Sequence, residues 1–248
     1  MNEPIVLTGG YGSNWRMYQP FGRVLARVTG RRVFVTTLTG ITWMVANLAD
    51  YALLVARLHQ AVMHALSQTG ADRVILVGHS AGGVVSRAYL GDLFEDHGRE
   101  GFHGHERVSR IYMLGSPLAA AANPRHAGIR RASWVDQKYP GSFYAPEVSY
   151  LAVCGRFKQG KRGGTLAERR AYRAYQYISG NGEQWGDGVV PLELCKPDGI
   201  PAMEIEGVSH SPFWSRRWYG ADEAIVRQWW DYFDQGDAPS LARDVLSA

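Results

Sequence analysis

The chain predicts an α/β fold, with a mostly parallel central sheet and helices on both faces. Three features carry this expectation. Short runs rich in Val, Ile and Leu alternate with longer segments of helical period. The runs are apolar at nearly every position, as in Val74-Ile75-Leu76-Val77, which suits strands covered on both faces. The length of 248 residues is one at which a single α/β domain is common.

The elements follow in order. Ile5–Thr8 reads as the first strand, and Tyr18–Thr29 as a helix in which Phe21, Val24, Leu25 and Val28 recur at helical spacing. Arg32–Thr36 is the next strand. Asp50 is the expected N-cap of a helix that runs to about Thr69 and stops at Gly70, with Leu54, Leu58, Ala61, Val62 and Leu66 on its apolar face. Arg73–Val77 is a strand and Ala81–Asp92 a helix. Val108–Leu114, Val148–Cys154 and Pro201–Ile205 are further strands, and Asp222–Asp234 is the last long helix. Segments 115–147 and 155–186 break the rhythm. The first mixes Gly, Pro, Ala and aromatic residues without a clean period; the second is basic, then rich in Tyr, Gln and Gly. Irregular stretches of this length usually serve function, so both are expected as excursions above the sheet that form a lid or substrate wall. The alternative is surface loops holding a short helix such as Leu166–Tyr177. Residues 1–236 are expected as one domain and 237–248 as a flexible tail.

Composition narrows the function classes. A net charge of +4, scattered except for a denser patch around Arg156 to Arg173, is too weak a signal for a nucleic-acid partner. Cys154 and Cys195 form no C-x-x-C pair and lie near no spaced histidine cluster, so neither a disulfide framework nor a zinc site is expected. No run of about 18 apolar residues predicts a membrane span. The N-terminus, Met1-Asn2-Glu3-Pro4, lacks the basic and apolar regions of a signal peptide, so the cytoplasm is the expected location. Gly155 to Arg162 nearly spells a phosphate-binding loop. The position that should hold Ser or Thr to reach magnesium holds Arg162, which cannot ligate a cation.

The most informative stretch is Gly78-His79-Ser80-Ala81-Gly82, between the apolar run Val74–Val77 and a helical pattern. This G-x-S-x-G pattern in a strand–turn–helix setting places a serine on a tight turn, with small residues where neighbouring backbone passes close. The helix that follows aims free N–H groups at whatever binds beside Ser80. Taken alone, the pattern can also be a βα turn that needs small residues for packing. A nucleophilic serine requires a base and an acid elsewhere.

Asp187 lies in Trp185-Gly186-Asp187-Gly188-Val189-Val190-Pro191, and His210 in Gly207-Val208-Ser209-His210-Ser211-Pro212, just after the last strand pattern. The order Ser80, Asp187, His210 is the Ser…Asp…His order of the hydrolase arrangement, with each residue in a loop at the strand-end side. His210 would take the serine proton and return it to the leaving group, while Asp187 would fix the imidazole tautomer. His126 is the rival base, and Asp198 and Glu206 are the fallback acids. His79 is expected to pack or hydrogen-bond beside the serine. Two backbone donors are needed for the oxyanion. Ala81 N–H is one, and the loop Thr8–Asn14 supplies the second, with Tyr11 N–H first in line and Gly10 next.

These stretches, together with Ser86–Gly91, Tyr139–Tyr144 and Trp218-Tyr219-Gly220, resemble the α/β-hydrolase superfamily of serine esterases and lipases. More narrowly, they are similar to the lipase-like branch of cyanobacterial and plastid hydrolases of poorly defined substrate. The resemblance spans nearly the whole chain. It implies the α/β-hydrolase fold, with Ser80 as nucleophile, Asp187 as acid and His210 as base, and it brings a lipid ester into view as substrate. One stretch departs: Leu114-Gly115-Ser116-Pro117-Leu118 stands where relatives often read Gly-Thr-Pro-His, which leaves the wall of the site open. The chain also starts directly at the strand before the oxyanion loop, so the fold's first two strands are expected to be missing or very short.

The functional expectation is a serine hydrolase that cleaves carboxylic esters through an acyl-enzyme, with no metal and no cofactor. Aromatic residues near the expected mouth (Tyr11, Trp15, Trp43, Phe143, Tyr144, Trp185, Phe213, Trp214) suggest an apolar acyl or aromatic group. From these, Trp15, Phe143, Tyr144 and Phe213, together with Gly10, are the candidate substrate contacts. Thioester hydrolysis or acyl transfer with the same triad stays open, as does a ligand-binding module of low turnover. The sequence does not reveal the oligomeric state.

Overall fold

The computed structural model describes residues 2–48, 51–92, 100–119 and 127–234. The chain begins with β1 (Ile5–Thr8), α1 (Gln19–Thr29), β2 (Val33–Val35), α2 (Gly40–Leu48) and α3 (Ala52–Thr69). It continues with β3 (Val74–His79), α4 (Ala81–Leu90), β4 (Val108–Leu114), α5 (Ala127–Lys138) and β5 (Ser149–Arg156). Then come β6 (Lys158–Gln159), α6 (Leu166–Ser179), β7 (Trp185–Gly186), α7 (Leu192–Cys195), β8 (Ala202–Glu206) and α8 (Glu223–Trp230).

Six strands form the central sheet in the order β2-β1-β3-β4-β5-β8, each pair parallel. Leu76 lies level with Val6 on one side and Ile111 on the other. Parallel neighbours require crossovers, and the crossover helices cover both faces. Strand alternation therefore sends apolar side chains into two cores. Ile5, Leu7, Ile75, Val77, Tyr112 and Leu114 pack with Phe21 and Leu25 of α1 and Val226 and Trp229 of α8. Val6, Val74, Leu76, Ile111 and Met113 pack with Leu54 and Leu58 of α3, Val85 and Tyr89 of α4, and Val135 of α5. This is the physical reason the strand segments read as unbroken apolar runs. No described helix is long and apolar enough to cross a membrane.

Strands β1 and β4 run over the expected residues, and most other boundaries shift by one or two residues; the last helix ends four residues early, at Trp230, where a 3-10 turn over Asp231–Phe233 takes over. Asp50, the expected N-cap of α3, lies outside the described residues, as does the tail after Asp234. Two helices break from expectation. α2 gives no periodic signal because apolar residues lie all round it: Trp43 and Ala46 are buried while Ile41, Met44 and Leu48 face outward. Within 115–147, where the sequence shows no clean period, α5 is a regular helix. It packs Ala132 and Val135 into the core layer over α4, and Ile129 is buried as well. Arg87, buried in α4, ties the two helices by donating to Asp136 at 3.1 Å and to the Tyr139 carbonyl at 2.7 Å. Segment 155–186 departs from the sheet. β6 and β7 make an antiparallel ribbon of their own, and α6 starts on a capping box of Thr165 and Glu168.

Candidate functional site

Ser80 sits between β3 and α4 with φ 55° and ψ −128°. A non-glycine residue with positive φ is strained and persists only where its surroundings hold it. Here the Ser80 N–H donates to the Leu114 carbonyl at 2.8 Å, and its carbonyl accepts from Gly83 N–H at 3.0 Å. The glycines of the motif answer to close approach. A Cβ on Gly78 would come within 2.6 Å of the Gly83 backbone, and one on Gly82 would collide with the carbonyl oxygens of Thr8 and Gly9. The turn therefore wedges β3, α4 and the loop after β1 together, and the serine projects at the carboxyl end of the sheet.

His210 follows β8, and its imidazole reaches Ser80: Nε2 lies 3.0 Å from Oγ. Nδ1 lies 2.7 Å from Asp187 Oδ2. The buried carboxylate is fully engaged. Oδ1 accepts from the N–H groups of Val189 at 3.0 Å and Val190 at 2.8 Å, and Oδ2 also accepts from the Tyr219 hydroxyl at 3.0 Å. Asp187 and His210 are further joined by the backbone, His210 N–H to the Asp187 carbonyl at 2.8 Å. Asp187 is carried by the ribbon rather than by a strand of the main sheet, and it lies against Gly155 of β5. Tyr175 of α6 holds this loop by accepting from Gly188 N–H at 2.9 Å while donating to the Lys158 carbonyl. Burial pushes the Tyr175 and Tyr219 hydroxyls upward from their ordinary pKa, with the Asp187 charge adding to the shift, so both stay protonated donors.

A second chain of hydrogen bonds runs beneath the first. His79 Nε2 lies 2.8 Å from the His210 carbonyl, which can only accept, so Nε2 carries the proton. Nδ1 must then accept, and the Tyr18 hydroxyl donates to it at 2.7 Å. Tyr18 in turn accepts from the Gly10 N–H at 2.8 Å. Burial, helped by the neighbouring His210, holds the His79 imidazole down at about 3, so it stays neutral.

Gly10 is thus removed as an oxyanion donor, because its N–H is already given to Tyr18. Ala81 opens α4, and its N–H belongs to the set that a helix leaves without intrahelical partners.

Two cavities flank Ser80. One, of about 230 Å³, is lined by Tyr11, Trp43, Ala81, Val84, Ile129 and Ala174 among others. The second, of about 430 Å³, is lined by Gly10, Ser13, Met17, His210, Phe213 and Trp218 among others. Of the expected substrate contacts, Gly10 and Phe213 line the second cavity and Trp15 lines neither. Phe143 and Tyr144 are corrected outright. They pack on Tyr139, and Tyr144 stacks on His105, which precedes β4 at the amino end of the sheet, opposite Ser80. Tyr144 packs against the core there, while Phe143 caps the cluster from the exposed side. Of the fallback acids, Glu206 pairs with Arg156 at 2.9 Å and Asp198 is exposed. The rival base His126 lies outside the described residues.

Sequence reasoning missed Tyr18 and Tyr219, and it gave α6 no specific contact. Tyr18 reads as the start of a helix and Tyr219 enters only as part of the stretch Trp218-Tyr219-Gly220, and nothing local marks a hydroxyl that will meet a partner far along the chain.

The family described as PGAP1-like alpha/beta domain matches residues 41–131, a stretch that holds Ser80 but neither Asp187 nor His210. Among curated proteins, none matches the chain. Among solved structures, a Listeria innocua gene product is similar at 16% identity and a TM-score of 0.53, over 93% of each chain. A pyrethroid hydrolase from Sphingobium faniae is similar at 17% identity and a TM-score of 0.50, over 96% of this chain and 98% of that one. With the six-stranded parallel sheet and its flanking helices, these likenesses show that the chain has the α/β-hydrolase fold.

Proposed function

We propose that the chain is a serine hydrolase of carboxylic esters that works through an acyl-enzyme. The observation that carries this reading is the continuous line from Ser80 Oγ to His210 Nε2 at 3.0 Å and from His210 Nδ1 to Asp187 Oδ2 at 2.7 Å. As Oγ attacks the ester carbonyl carbon, its proton passes to Nε2, and Asp187 stabilises the imidazolium. The N–H groups of Ala81 and Tyr11 receive the oxyanion, each contributing about 3 kcal/mol to the transition state. The carbonyl then re-forms, the alkoxide leaves, and Nε2–H protonates it. A water gives a proton to Nε2 while its oxygen attacks the acyl carbon, and the acid departs as Oγ recovers its proton. A fluorophosphonate probe separates this reading from a binding module of low turnover, since an unactivated serine does not react. Ser80→Ala should abolish labelling and lower turnover of a short p-nitrophenyl ester by roughly a million-fold. Activity near wild type in that variant would end the proposal.

A further inference from the structure

Resting on that reading, we infer that the substrate is an uncharged ester, with an acyl group of at most about eight carbons and a bulkier uncharged alcohol. The two cavities that meet at Ser80 are not equivalent. His210 lines the one of about 430 Å³ and is absent from the lining of the one of about 230 Å³. In the step that breaks the ester C–O bond, the electron pair goes to the alcohol oxygen and His210 Nε2 supplies its proton. The leaving oxygen must therefore lie against His210, and the alcohol extends into the cavity that His210 lines. The acyl chain, on the other side of the same carbonyl carbon, takes the cavity walled by Ala81, Val84, Ile129 and Ala174.

Size then sets the partition. At about 30 Å³ per water-sized group, a methylene being similar, 230 Å³ holds about eight carbons and 430 Å³ about fourteen heavy atoms. Chemistry sets the charge. Among the described residues lining either cavity there is no Lys, Arg, Asp or Glu. A phosphate-bearing carrier would call for Arg or Lys partners, and a cationic alcohol would be desolvated without a counter-charge. Both walls are instead mainly apolar, which favours hydrocarbon or aryl groups. A nucleotide-linked thioester is disfavoured on the same ground.

The test is a pair of ester series with the full-length protein. With p-nitrophenol as the constant alcohol, kcat/KM should peak between four and eight acyl carbons and fall at least tenfold by sixteen. With butyrate as the constant acid, the benzyl ester should exceed the choline ester at least tenfold. Equal rates at eight and sixteen carbons, or preference for choline, would overturn the inference. Ala174→Trp, which fills the smaller cavity, should lower the octanoate-to-acetate ratio about tenfold, and Ile129→Ala should raise the ratio for longer chains. Met17→Trp should instead shift the benzyl-to-methyl ratio; if it shifts the acyl series, the two cavities are assigned the wrong way round. Methyl octanoate binding to Ser80→Ala, followed by tryptophan fluorescence, reads the acyl cavity without turnover. Binding there with no ester turned over by the wild type would sink the catalytic reading and leave the cavity; turnover without any dependence on chain length would sink this inference alone.

Discussion

His79 donates from Nε2 to the main-chain carbonyl of His210 at 2.8 Å, so the residue before the serine also holds the loop that carries the imidazole. Through Tyr18, the same histidine is linked to the Gly10 amide in the loop after β1. One buried line thus joins the two loops that must stay in register around Ser80.

Tyr18→Phe tests that line. It removes the proton donated to His79 and leaves the Gly10 N–H without its acceptor, at a cost of about 1–3 kcal/mol in stability. Because Tyr18 positions other groups, kcat should fall roughly 10- to 100-fold with KM nearly unchanged. A variant that loses stability but keeps kcat would reduce Tyr18 to a structural role.

His79 also predicts an acid-sensitive fold. Its imidazole is held down at about 3, against an ordinary value of 6.5. Between these values the unfolded chain takes up a proton that the folded chain refuses. The stability is fully present above pH 6.5 and drains as pH falls toward 3, by about 1.4 kcal/mol per unit in that window. Urea midpoints measured from pH 7 to 4 should show this slope, and His79→Gln should flatten it. Equal slopes in the two proteins would contradict the prediction.

Asp187→Asn should keep the fold and lower kcat by about four orders of magnitude at neutral pH, because an amide no longer selects the tautomer that presents a free Nε2 to Ser80. The backbone N–H groups of Val189 and Val190 still find an acceptor in the oxygen of the introduced side-chain amide. Circular dichroism and steady-state kinetics together check this. A loss under tenfold would mean that another acid serves His210.

Gly82→Ala should cost about 3 kcal/mol or more, since the added methyl group meets the Thr8 and Gly9 carbonyl oxygens on rigid backbone. A melting temperature within a degree of wild type would show that the elbow can relax.

The elbow was legible because its demands are local: a strand, a strained serine between small residues and a helix start appear consecutively in the chain. Ser80, Asp187 and His210 could be picked out in the sequence by their order along the chain and their glycine- and serine-rich loops, although Asp187 follows the separate ribbon and not a strand of the main sheet. α6 was expected only as the alternative to a lid, yet it holds the Asp187 loop through Tyr175 and walls the smaller cavity through Ala174. Phe143 and Tyr144 lie away from Ser80 because aromatic residues cluster with one another wherever packing allows, and composition carries no direction.

By itself, the amino-acid sequence determined the alternation of strand and helix, the apolar strands covered on both faces and the tight turn that carries Ser80, because periodicity and turn geometry act between neighbours along the chain. Tertiary structure alone decided which oxygen holds His79, which cavity lies beside His210, and that Gly10 spends its amide on Tyr18. Those contacts span up to 131 positions and form only when packing brings distant backbone and side chains within hydrogen-bond reach, which no local pattern encodes.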